Sequence, residues 1–285
     1  MSIGMPYAYM YDQNNQKVGL TNYAHQFFVD GVHGADGNNG RDWAHAFPTI
    51  QAALDARGTL YEAEAGDKKY AIIWIKPGVY AEELTGDLDD HNFFACHLIG
   101  LGLRGSDSQA QIRPGPGEGS CFTGIANGLH LANLRFEIDE DVPIFDMGIF
   151  NNSLIEDCTF AYFNDADGGI GIDTEDCKHL TVRRCSFEHG SEGEFNYGMY
   201  FRGGVNKYCH NCRIHDNTIF AQVAGIWIQG APPCVASLTV IWNNRIIGRQ
   251  AAFIGIDDNQ GDSYVIDNFI TALAGDAIDH AGGVG

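Results

Sequence analysis

Basic residues are scarce in this chain: 17 Lys and Arg stand against 37 Asp and Glu, a formal charge of -20. Such a surface repels phosphate backbones and anionic lipid headgroups alike, which argues against nucleic acid and membranes as partners. No apolar run approaches the 18 residues that a membrane-spanning helix needs. The N-terminus, Met1 to Tyr7, has no basic region, no apolar core and no small-residue cleavage site, so the sequence predicts synthesis in the cytoplasm without an export signal. Proline is sparse as well, with 8 residues against 36 glycines, a balance that suits many tight turns. No serine, histidine and aspartate fall into a nucleophile pattern; His33, His45 and Glu188-His189-Gly190 supply no paired base.

What the chain does contain is a repeat. An apolar residue is followed three positions later by a small or apolar one, and two after that by Phe or Ile. The six instances are Leu131-Leu134-Phe136, Ile155-Cys158-Phe160, Val182-Cys185-Phe187, Ile214-Asn217-Ile219, Ile241-Asn244-Ile246 and Val265-Asn268-Ile270. Variable spacing with a constant template is the signature of a β-solenoid with loops at its corners. Asn217, Asn244 and Asn268 are expected to form an internal amide ladder, with Cys158 and Cys185 in the equivalent place on earlier coils. A second strand recurs in the same coils around Ile170-Ile172, Met199-Phe201, Ile226-Ile228, Ile254-Ile256 and Ala277-Ile278. Alternation places Met199, Phe201, Ile226, Ile228, Ile254 and Ile256 inside, and Tyr200, Trp227, Arg202, Gln229 and Asp257 outside.

The eight cysteines (Cys96, Cys121, Cys158, Cys177, Cys185, Cys209, Cys212 and Cys234) fall mostly in apolar strand patterns and read as reduced core residues. Cys209-His-Asn-Cys212 looks like a zinc half-site, but the register sets Cys209 over Cys177 and Cys212 inward, so stacked core thiols are expected.

Upstream, the turn-rich segment from Phe28 to Trp43 leads to an amphipathic helix expected near residues 48–57, with Ile50, Ala53 and Leu54 on one face. An apolar strand Ile72–Ile75, stopped by Pro77-Gly78, and the segment His97–Gly102 follow. These three ordered motifs, with the repeat, resemble the pectate-lyase-like parallel β-helix superfamily over roughly residues 27 to 280. The resemblance implies an all-β, right-handed parallel β-helix (solenoid) with an N-terminal capping α-helix. It divides the chain into an N-terminal arm, 1–26, and a β-helix domain, 27–285, whose coils start near residue 70.

Chemistry on such a face would come from stacked carboxylates, because adjacent coils lie about 4.8 Å apart. Asp257, Asp258 and Asp279, with His280 beside them, form one candidate set. A second is the acidic cluster of Asp165, Asp167, Asp173, Glu175 and Asp176, with Arg202 one coil later, which has the hard oxygens that calcium prefers. Both sets also read as solvated corner carboxylates. Tyr200 and Trp227 face outward on successive coils and are candidates for glycan or partner binding. Asp30, Asp36, Asn38 and Asp42 are candidate calcium ligands in the Gly-rich turn, although Asx residues make such turns without a cation.

Two functional classes follow. The resemblance to phage β-helix proteins implies a structural or attachment subunit of a virion, a capsid decoration or tail appendage that binds glycans, with a homotrimer and other virion proteins as partners. The alternative is a polysaccharide lyase or glycoside hydrolase. No cofactor other than Ca²⁺ is expected.

Overall fold

A computed structural model describes residues 9–11, 17–19, 25–63, 70–87, 91–104, 108–163, 168–189, 195–202, 209–229, 238–248, 253–258, 263–271 and 278–280, with the backbone alone for 9–11, 17–19, 189 and 278–280. The fold is a right-handed parallel β-helix with one α-helix near its N-terminus. Apart from one antiparallel pair, Tyr9–Tyr11 with Lys17–Gly19, every described strand pairing is parallel.

Each coil contributes to three faces. One runs from His25–Val29 through Ala71–Ile75, Phe94–Gly100, Leu154–Glu156, Thr181–Arg183, Arg213–His215 and Val240–Trp242 to Tyr264–Ile266. The second is an eight-stranded sheet from Gly78–Tyr80 to Phe269–Thr271. The third runs from Leu84–Gly86 through Pro143–Asn151, Gly169–Lys178, Phe195–Arg202, Ala224–Gln229 and Ile254–Asp258 to Ile278–His280.

Two corners are made by single left-handed residues. Between the first and second faces stand Asn133, Asp157, Arg184, Asp216, Asn243 and Asp267, with φ from 50° to 58°. Asn152, His179, Asn211 and Leu238, with φ from 50° to 65°, turn the chain into the first face. Asn and Asp tolerate this region because their short polar side chains hydrogen-bond locally. Inside the first of these corners Asn217 Nδ2 donates to Asn244 Oδ1 at 2.9 Å and Asn244 Nδ2 to Asn268 Oδ1 at 2.9 Å, so the expected amide ladder is present. Cys185 continues it by donating its backbone amide to Asn217 Oδ1 at 2.9 Å.

The template residues form the core. Leu131, Ile155, Val182, Ile214 and Ile241 are buried, and Phe136, Phe160 and Phe187 stack along the axis with centroids 5.2 and 4.5 Å apart. Burying such aromatic faces on successive coils is the main driving force for stacking. Val265 and Ile270, on the last described coil, pack against this core but are only half-buried.

The helix spans Ile50–Ala63, longer than the expected 48–57 because its second half also packs, with Arg57 buried over the Tyr61 ring. Ile50, Ala53 and Leu54 are fully buried, as expected. Its first two amides donate to the Glu82 carboxylate at 2.8 and 2.9 Å, a cap supplied from 32 and 31 residues downstream that no local pattern reveals. Parallel pairing begins with His25–Val29 on Ala71–Ile75, so the coils start before the helix and not near residue 70.

Candidate functional site

The third face carries an unbroken column of outward positions. Pairing sets Thr85 beside Thr123, then Asp146, Asp173, Tyr200, Trp227, Asp257 and the backbone of Asp279. Asp146 was not among the sequence candidates. Its signal was nevertheless present, since Phe145-Asp146 repeats the Ile172-Asp173 pattern one coil earlier.

Asp173, Arg202 and Asp146 meet at the centre of the column. Arg202 Nε donates to Asp173 Oδ1 at 2.6 Å, and the same guanidinium lies 3.4 Å from Asp146 and 3.8 Å from Glu175. The Asp173 side chain is 6% exposed while that of Asp146 is 51% exposed. Burial raises the Asp173 carboxyl to about 6 against the lowering effect of Arg202, with Asp146 and Glu175 adding to the rise. A carboxyl near 6 exchanges protons at neutral pH. Asp176 sits in register with Ile149, away from this centre, beside Lys178. Asp165 and Asp167 lie outside the described residues.

Next along the column the Tyr200 and Trp227 rings stack on each other, centroids 4.6 Å apart and planes within 13°. Tyr197 joins them at 5.3 and 5.0 Å. Residues three apart on a straight strand face opposite sides, yet both tyrosines stand outside because Gly198 interrupts the alternation. A Cβ at Gly198 would lie 2.7 Å from Gly225 O and press into Ile219, and one at Gly225 would lie 2.8 Å from Gly255 O and press into Ile246. The repeated x-Gly-x of these strands was the readable sign of this bend. The Tyr200 hydroxyl donates to Gln229 Oε1, and burial raises its pKa with help from Asp173. Trp227 Nε1 is a buried donor with no partner among the described residues.

The Asp257-Asp258 pair is divided by the strand. Asp257 lies in the outward column, whereas Asp258, in register with the buried Ile228, is itself fully buried and accepts from the Ser263 amide at 3.3 Å. The expectation that both stand together at a solvated corner is thereby corrected: consecutive strand residues face opposite sides. Ile254, expected inside, is half-buried, because it shares the register position of Tyr197 and Ala224 ahead of the glycine bend. The side chains of Asp279 and His280 lie outside the described residues.

In the N-terminal turn Asp30 is buried and accepts from the Val32 and His33 amides and from Lys76 Nζ at 2.5 Å. Burial alone would raise its pKa, but the Lys76 bond and the amides bring it down to about 2. Asp42 caps the short helix Trp43–His45 through the His45 amide at 2.9 Å, Asn38 donates to Ala46 O at 2.8 Å, and Asp36 is exposed. Among the described residues no three His, Cys, Asp or Glu side chains are grouped to hold a metal ion.

A second polar centre escaped the sequence reading. On the outer side of the first face His97 Nδ1 and His130 Nδ1 are 3.1 Å apart, and His130 Nε2 lies 3.1 Å from Glu156 Oε1. The Glu156 carboxylate also accepts from Arg183 at 2.6 Å and Arg184 at 2.6 Å. All three members of the His97–His130–Glu156 chain are buried. Its parts come from three coils, so no sequence window contains them.

The family described as right handed beta helix region matches residues 147–284, just under half of the chain. Among solved structures, a pectin methylesterase in complex with a hexasaccharide is 14% identical, with a TM-score of 0.42, 87% of this chain covered and 81% of that one. The A-module of mannuronan C-5 epimerase AlgE4 from Azotobacter vinelandii is 12% identical, with a TM-score of 0.25, 88% of this chain covered and 97% of that one. No curated protein matches the chain.

Proposed function

We propose that the third face is a glycan-processing surface on which Asp173 and Asp146 act as the acid and the nucleophile of a glycoside hydrolase. The observation that supports this is the pairing of two carboxylates on adjacent coils, one raised to about 6 by burial and the other solvated, bridged by one guanidinium. Coils about 4.8 Å apart give the close carboxylate spacing, about 5 Å, that suits a nucleophile and an acid on one sugar. In this reading protonated Asp173 donates to the departing glycosidic oxygen while Asp146 attacks the anomeric carbon, and Asp173, now ionised, takes a proton from the water that cleaves the glycosyl–Asp146 bond. The aromatic group of Tyr197, Tyr200 and Trp227 forms the wall beside them. Arg202 faces three carboxylates, so the cluster has an excess of negative charge and favours a neutral saccharide over a polyuronate.

Release of reducing ends from neutral polysaccharides tests the proposal. Asp173→Asn and Asp146→Asn are each expected to reduce turnover by about 100-fold or more, and wild-type turnover is expected to fall as pH rises through about 6, where Asp173 loses its proton. Equal turnover by the variants, or none by the wild type on any neutral glycan, would remove the hydrolase reading.

A second reading, an attachment or decoration subunit of a phage virion, is favoured by the last coil, where Tyr264, Ile266 and Phe269 are 58%, 49% and 62% exposed. These three side chains stand in outward register positions on the first and second faces, and lateral apolar exposure of this kind suits burial by a subunit packed alongside, a trimer partner or another virion protein. In that reading the aromatic face holds a glycan without cleaving it.

A further inference from the structure

Three buried thiols converge where the third face turns into the first. Cys177 and Cys209 are register partners on successive coils with sulfurs 3.0 Å apart. Left-handed Asn211, φ 54°, then folds the chain back so that Cys212 Sγ comes within 3.6 Å of Cys177 Sγ. Each thiol is at most 1% exposed. Parallel register partners have Cα atoms about 4.8 Å apart, inside the range of about 4.4 to 6.8 Å that a disulfide spans, and the sulfurs need to close by only about 1 Å.

We propose that Cys177, Cys209 and Cys212 form a peroxide-responsive thiol site whose oxidised product is a Cys177–Cys209 disulfide joining two coils. Cys212 is the member whose thiol lies below its ordinary value, drawn down by the hydrogen bond with Cys177, whereas burial pushes Cys177 well up. All three thiols are buried, so a hydroperoxide reaches them when this corner opens, and Cys212, within 3.6 Å of Cys177 Sγ, is then in place to react in relay with it. The Cys212 sulfur attacks the peroxide oxygen, the O–O bond breaks, and a sulfenic acid and one water result. Cys177 Sγ attacks that sulfur, hydroxide leaves as a second water, and a Cys177–Cys212 bond forms. Cys209 then attacks Cys177 and releases Cys212, the better leaving thiol. In sum, two thiols lose two electrons and two protons, and one peroxide becomes two waters.

The other stacked pair provides an internal contrast. Cys158 and Cys185 hydrogen-bond each other and also the carbonyls of Glu156 and Arg183, each at 3.3 Å, and what they lack among the described residues is a third thiol to relay the oxidation. The site needs no substrate or assembly partner, so it is independent of the hydrolase proposal.

The test treats the full chain with hydrogen peroxide, denatures it, alkylates remaining thiols and maps the peptides. The expected result is loss of about 2 Da per chain, six alkylated cysteines in place of the eight in the sequence, and a Cys177–Cys209 linked peptide. Oxidised protein should also melt about 5 °C higher, because the bond closes a loop of about 30 residues. In Cys209→Ala the link should stop at Cys177–Cys212, in Cys212→Ala it should form more slowly, and in Cys177→Ala it should vanish. Retention of all eight alkylatable thiols in wild-type protein would overturn the proposal, as would a linkage through Cys158–Cys185 in place of Cys177.

Discussion

Asp173 and Glu156 are buried carboxylates on different faces of the same coil, and their surroundings push them in opposite directions. At Asp173 burial dominates and the carboxyl rises to about 6. At Glu156 burial also raises it, but hydrogen bonds from His130 and Arg183 bring it down to about 2. The consequences for stability have opposite signs. The Glu156 contribution is complete above its ordinary 4.5 and is lost as pH falls toward 2. His97, held well below its ordinary 6.5 by burial and by the neighbouring His130, contributes stability above 6.5 that is lost as pH falls below it. Asp173 works the other way: its folded state binds a proton more tightly, so its contribution improves as pH falls from about 6 toward 3.8. Chemical denaturation across pH should therefore show stability declining below about 6.5 and again below about 4.5. His97→Gln should flatten the first decline, and Asp173→Asn should not. Glu156→Gln should cost about 1 to 2 kcal/mol at neutral pH, since it takes the anion from buried His130 and from Arg183, both arginines being partly solvated and Arg184 keeping Asp157.

At the scale of elements, each coil is specified at its corners as much as in its strands. Asn244 donates to Asn268 Oδ1, Ile214 O and Trp242 O and accepts from Asn217, all within a buried corner. Asn244→Leu keeps the volume but strands those partners, and a loss of about 2 to 3 kcal/mol is expected by equilibrium denaturation. Gly198→Ala tests the bend that brings the aromatics together. The added Cβ meets Gly225 O and Ile219, so about 2 kcal/mol of destabilisation is expected. Tryptophan fluorescence should shift with it if Tyr197 leaves the Tyr200–Trp227 stack. An unchanged spectrum with unchanged stability would show that the glycine is not what places the rings.

For the whole molecule, nearly every contact joins a coil to its neighbours, so stability propagates along the axis and the ends are the weak points. The N-terminal end is closed by Ile50–Ala63, whose buried side packs on the first coils. On the last described coil the inward Val265 and Ile270 are half-buried, and Tyr264, Ile266 and Phe269 stand exposed on its outer sides. Light scattering on the full chain measures whether those outer sides are buried between subunits. A trimer in which Phe269→Glu yields monomers is the outcome expected of the attachment reading, while a monomer indifferent to Phe269→Glu is the outcome expected of a self-contained enzyme.

The sequence alone determined the coil. Its apolar template recurs because every coil must present the same inward positions to the coils above and below, and the Asn ladder is legible because one corner position repeats in register. The helix face and the stacking of Cys209 on Cys177 followed from the same periodicity. Only the tertiary structure decided the site. Asp146 joins Asp173 through Arg202, Glu82 caps a helix that begins 32 residues upstream, and His97, His130 and Glu156 meet across three coils, because coil-to-coil distance is short in space and long in sequence. Asp258, a candidate carboxylate in the sequence, belongs to the core: the alternation that sets Asp257 outward sends its neighbour inward beside Ile228.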